Sequence, residues 1–251
     1  HNLSDVAGLL IAWGALALAR RAPSPRFTWG LSRSPILAAL ANALILVAAC
    51  GGIAFESLHR LADPQPVSGD LVMIVAGIGI LINTGTALLF ARGRKGDVNI
   101  RGAYLHMMAD AAVSAGVVAG GLLIRLTGWD MVDPLLGLAI AGLVLRATWG
   151  LLTESLALAL DAVPAGIEPA AVAHWLGGLE GVSAVHDLHI WPQGTTGAIL
   201  TAHLVMPAGH PGDAALADIA HALHHRFGIG HATLQVERDA DHCRQAIAEG
   251  C

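Results

Sequence analysis

The chain has 251 residues, 55% of them hydrophobic and only 13% charged, with a mean hydropathy of +0.61. Soluble domains carry about 25% charged residues, so this balance excludes an ordinary soluble enzyme and points to a membrane protein. With a net charge of −5, no nucleic-acid partner is expected.

Five long apolar segments fill the first three-fifths, near residues 3–19, 35–55, 70–91, 103–124 and 132–152. Each approaches the roughly 20 residues that an α-helix needs to cross a hydrocarbon core. They predict an α-helical membrane bundle over residues 1–155 and a separate small domain over 156–251. Arg20, Arg21, Arg26 and Arg33 follow the first segment, and Arg92, Arg94, Lys95 and Arg101 follow the third. The two intervening connections hold only Arg60 and Arg125. The basic connections, and with them the tail, are therefore expected on the cytoplasmic side. Trp29, Trp129 and Trp149 stand near span ends, where aromatic belts form.

The first segment opens with HNLSD and so carries His1 and Asp5; the fourth carries His106 and Asp110 in HMMAD. Residues four apart share one face of a helix. Each pair thus presents an imidazole beside a carboxylate inside a stretch meant for lipid. A charge at the bilayer centre costs about 2.5–3.5 kcal/mol on insertion scales, so such residues face protein or water and have a function. Two facing helices of this kind supply two nitrogens and two oxygens, a natural tetrahedral set for zinc. Asn42 and Asn83, also within spans, suit interhelical hydrogen bonds. A metal-binding residue at position one, on a chain without an initiator Met, predicts a preceding helix: five spans are present of an expected six. Cys50 is read as packing within a span; Cys50, Cys243 and Cys251 form no framework of paired spacings.

The charge changes sign along the chain. Through residue 152 there are 11 basic and 8 acidic residues; the tail has 3 Arg, 11 acids and ten of the 13 His. In the tail, IEPAAVAHWLGGL reads as a helix, VSAVHDLHIW and GAILTAHLVM as strands, GDAALADIAHALHHRF as a helix and HATLQVE as a strand. That order predicts a two-layer α+β domain, αββαβ. Strand alternation places Val185, Asp187 and His189 opposite His186. His174, His221, His224 and His225 read as solvated helix residues.

In order along the chain, HNLSD, RFTWGLSRSPILAALANALILVAA, HMMAD, GWDMVDPLLGLAIAGLVL and GVSAVHDLHIW resemble the cation diffusion facilitators, and the resemblance covers essentially the whole chain. It implies six membrane helices, a cytoplasmic ferredoxin-like domain, a homodimer in the cell's inner or plasma membrane, and export of zinc or related divalent ions in exchange for protons. Carried over to these residues, it implies a transport site of His1, Asp5, His106 and Asp110. It implies a tail site of His186, His203, His231 and Glu237, with Cys243 offering a further thiolate. RFTWGLSR has no His or acid, so the loop metal site of some relatives is not expected here. Two imidazoles disfavour magnesium, calcium and manganese, leaving zinc first, with cadmium and cobalt as companions. Zinc is then both substrate and the ligand of the tail. The rival readings are an intramembrane metalloenzyme, a membrane-anchored metal sensor and a channel. The first lacks HExxH and a nearby base, the second has no use for intramembrane ligands, and the third would conduct without regard to a proton gradient.

Overall fold

The computed structural model describes residues 2–63, 70–91, 98–129 and 131–239, with side chains in the first helix from Leu10 onward. The chain divides into two compact units, His1–Leu156 and Ala157–Cys251.

The first unit is helical throughout: α1 (Asn2–Ala19), α2 (Ser34–Ala62), α3 (Asp70–Phe90), α4 (Val98–Thr127) and α5 (Val132–Ala159). Among the described residues, α2, α5 and the Ile100–Thr127 part of α4 are long and apolar enough to cross a membrane. Within α1 and α3, Leu10–Ala19 and Ala76–Phe90 are shorter apolar helical stretches. Large side chains such as Leu81, Leu88, Leu126 and Leu143 point outward. In water such a surface would be a liability; against lipid tails it is the ordinary finish of a spanning bundle.

Because lipid is as apolar as leucine, helix association here depends on close packing rather than on burial from water. Small residues provide it. Gly116 lies against Ile140, Gly120 against Leu136, and Gly137 against the Ser57 hydroxyl. α3 packs on α4, and α1 packs on both α2 and α4. Leu46, Cys50, Ala109 and Val144 form a buried cluster joining α2, α4 and α5. Ion pairs tie α5 near both its ends. Arg60 on α2 donates to Glu56 at 2.8 Å and to Asp133 at 3.1 Å, while Arg101 on α4 donates to Glu154.

The second unit runs α6 (Pro169–Gly177), β1 (Ala184–Pro192), β2 (Ala198–Val205), α7 (Asp213–Phe227) and β3 (Ile229–Glu237), the αββαβ order expected. Pro169 sits in the first turn of α6, where its missing N–H costs nothing. α7 stops at Gly228, whose φ of +70° closes the helix in the left-handed conformation. The sheet order is β1-β2-β3, with β1 antiparallel to β2 and β3 parallel to it through the α7 crossover. Val172 and Leu176 of α6, Leu223 of α7, and Leu200, Ala202 and Leu204 of β2 share one core. Both helices therefore cover one sheet face, and alternation sends Thr201 and His203 to the other.

One strand departs from simple alternation. His186 pairs with His203 and His189 with Thr201, so Asp187 and Leu188 together oppose Ala202 alone. This is a β-bulge, and Asp187 takes φ of +50° within it. The extra residue resets the parity, so the expectation that Asp187 and His189 face away from His186 is corrected. His186 and His189 stand opposite residues of the same β2 face, and the Asp187 carboxylate reaches His203 on that face, with Oδ2 3.3 Å from Nε2.

Candidate metal centres

α4 holds the first centre. His106 and Asp110 are one turn apart and buried, with 7% and 9% of their surface exposed. His106 Nε2 lies 3.5 Å from Asp110 Oδ2, beyond ordinary hydrogen-bond distance. Two donors held about 2.0–2.2 Å from a tetrahedral ion stand about 3.4 Å from each other. The spacing therefore matches two ligands of one small cation. Met107, Ala109 and Ala111 are buried beside them, and Asn83 is buried on α3, which packs along α4.

The partner helix, α1, contacts α4 and carries Asp5 in its first turns. Position 1 and the side chain of Asp5 lie outside the described residues, so the four-ligand set is represented here by its α4 half. A cavity of about 460 Å³ among α2, α4 and α5, lined by Ser57, Gly116, Gly120, Gly137 and the Glu56–Arg60–Asp133 ion pairs, does not include the His106–Asp110 pair.

The tail brings the second group together on the sheet face away from its helices. His186, His203 and Glu237 offer ligand atoms that all lie within 4.8 Å of one another. His186 Nε2 is 3.0 Å from Glu237 Oε2, and His203 Nδ1 is 3.2 Å from Glu237 Oε1. The His186 and His203 rings meet edge to face at 5.1 Å between centroids. All three side chains are largely buried, at 11%, 7% and 13% exposure. The register explains the meeting. His203 pairs across β2–β1 with His186, while Glu237 ends the parallel strand on the far side.

Sequence reasoning passed over Asp187. Its Oδ1 lies 3.0 Å from His189 Nε2, and its Oδ2 3.3 Å from His203 Nε2. The His203 imidazole is thus flanked by two carboxylates, one per ring nitrogen. A carboxylate on the second nitrogen fixes the tautomer and raises the basicity of a metal-binding His. The available signal was the residue type, since Asp tolerates positive φ better than most.

His231 stands apart from this group. It pairs with Ile199 and is exposed, whereas Gln235 pairs with His203. Four residues of strand span about 13 Å, too far for His231 to join His186 and His203 on one ion within a protomer. Cys243 falls outside the described residues.

Comparison with known proteins agrees with both units. The family model described as the cation efflux transmembrane domain matches residues 1–160, and that of the cation efflux protein cytoplasmic domain matches 164–239. The metal cation efflux system protein CzcD of Cupriavidus metallidurans is 36% identical over 249 residues, covering 99% of this chain and 78% of the relative. The zinc transporter ZitB of Escherichia coli is 35% identical over 244 residues, covering 96% and 78%. A cadmium, cobalt and zinc/H(+)-K(+) antiporter of Bacillus subtilis is 32% identical over 252 residues, covering 98% and 81%. Two adjoining family models and about one-third identity over nearly its whole length make this chain a member of the cation efflux family, the cation diffusion facilitators: an integral membrane transporter with its small α/β domain in the cytoplasm, and not an enzyme.

Proposed function

We propose that the protein exports Zn2+, with Cd2+ and Co2+ as secondary substrates, in exchange for protons through a tetrahedral site of His1, Asp5, His106 and Asp110. The observation that carries the reading is the buried His106–Asp110 pair, spaced at 3.5 Å as two donors to one small ion are spaced. The names of the relatives, which cite zinc, cadmium and cobalt, support this choice of ions.

The ligands themselves supply the coupling. Imidazole must be neutral and carboxylate deprotonated to bind metal, so loading releases protons and protonation expels the ion. Open to the cytoplasm, the site gives up protons to take Zn2+; open outward, His106 and Asp110 take up protons and let the ion go. Alternation requires α1 and α4 to move against the rest of the bundle. The tail, with His186, His203 and Glu237 on its open sheet face, serves as a metal-responsive contact in a homodimer.

The test is Zn2+ uptake into inside-out membrane vesicles, with and without an acidic interior, beside Asp110→Ala. Gradient-driven uptake that vanishes in the variant supports the site. Uptake that survives Asp110→Ala overturns it, and uptake indifferent to the gradient overturns proton exchange.

A further inference from the structure

The two metal groups described so far leave the opposite side of the tail domain unused, and there the histidines are again concentrated. α7 buries Leu223 and packs Ile219 and Phe227 against the sheet, which fixes the helix and turns Asp218, His221, His224 and His225 outward. His221 and His225 are one turn apart, so about 40° separates them around the axis. Their ring centroids lie 4.3 Å apart, and His224 meets His225 edge to face at 5.2 Å. Asp218 stands a further turn toward the N-terminus on the same stripe. The neighbouring cation is held elsewhere, with the Arg226 guanidinium 5.6 Å above the Trp175 ring.

We propose that His221 and His225 form a solvent-facing chelate for a borderline divalent ion (Zn2+, Ni2+ or Cu2+), with His224 or Asp218 and water completing the shell. Two imidazoles four residues apart on one helix face are the donor arrangement that zinc-binding helices use. Here it needs no ordering, because the core residues of the same helix already hold the backbone in place. Nitrogen donors favour these ions over Mg2+ and Ca2+, which take oxygen. The site lies across the sheet from His186, His203 and Glu237, so the two cannot share an ion. Exposure makes it a fast-exchanging site, one that raises the metal concentration at the cytoplasmic surface of the transporter rather than storing an ion. Equilibrium binding at this site does not depend on transport.

The experiment is equilibrium dialysis and calorimetric titration of the purified full chain in lipid nanodiscs with Zn2+, after stripping by chelator. His221→Ala with His225→Ala is expected to remove one zinc equivalent per chain. His186→Ala with His203→Ala is expected to leave that equivalent in place. A stoichiometry unchanged by the α7 substitutions overturns the proposal. So does loss of the same equivalent in the sheet-face variant, because the binding would then belong to the group already described. Both α7 positions are exposed, and His221→Gln with His225→Gln, which keeps side-chain length, repeats the test should the alanine pair unfold.

Discussion

Asp187 spends conformational energy to place a carboxylate. Its φ of +50° lies where a side chain with a Cβ crowds the backbone, a cost of roughly 1–2 kcal/mol that Asp offsets better than most residues. In return its oxygens reach His189 and His203. Two substitutions separate the contributions. Asp187→Gly relieves the backbone and removes the carboxylate, so zinc affinity of the tail is expected to fall by about 10–100-fold with little change in melting temperature. Asp187→Ala removes the same carboxylate without relieving the backbone, so it is expected to lose similar affinity and about 1 kcal/mol of stability besides. Zinc titration and thermal unfolding of the full chain read the two quantities; equal stability of the two variants would remove strain from the account. His203 makes the companion case. Saturating zinc at 100 times its dissociation constant stabilises a single-site domain by about 2.7 kcal/mol. That zinc-dependent rise in melting temperature is expected to shrink in His203→Ala, which loses the contribution of the sheet-face group alone, and to be absent in the wild-type chain held in chelator.

At the scale of elements, the helices were legible and their ends were not. Apolar runs report immersion in lipid, and α2 continues past residue 55 through Glu56, Arg60 and Ala62, where hydropathy falls but the Glu56–Arg60 pair, one turn apart, supports the helix. The αββαβ order and the meeting of His186, His203 and Glu237 could likewise be anticipated from strand patterns and family motifs. The bulge could not, because alternation counts residues and a bulge inserts one. Helix contacts were equally hidden, since no pattern in sequence says which glycine meets which side chain. A Cβ on Gly137 would run into the Ser57 Oγ, and Ser57 is itself buried. Gly137→Ala is therefore expected to destabilise the contact of α2 with α5 by about 1–3 kcal/mol, measured as a lower midpoint in a detergent-unfolding titration. The ion pairs beside it matter less. Arg60 and Asp133 are 39% and 32% exposed, and exposed pairs contribute about 0.2–1 kcal/mol. A double-mutant cycle between Arg60→Gln and Asp133→Asn is expected to return a coupling in that range; one of several kcal/mol would show that the pair is shielded in the assembled protein.

At the scale of the whole molecule, the cytoplasmic part from Ala157 onward holds 3 Arg against 10 acids, which favours the approach of cations to the side from which they are exported. On the mechanism proposed above, the membrane unit converts occupancy into direction through the protonation of its ligands. A ligand that must be deprotonated to bind metal gives up its ion on the more acidic side. In inside-out vesicles, an interior at pH 6 is expected to drive Zn2+ uptake and an interior at pH 8 to suppress it. Replacing His106 by Asp retains a ligand at the same position on α4 but exchanges an imidazole for a carboxylate. The acid limb of the uptake profile is then expected to move, and preference to shift from Zn2+ toward Mn2+, which favours oxygen. A profile unmoved by His106→Asp would place the coupling proton on another group and leave His106 as a ligand alone.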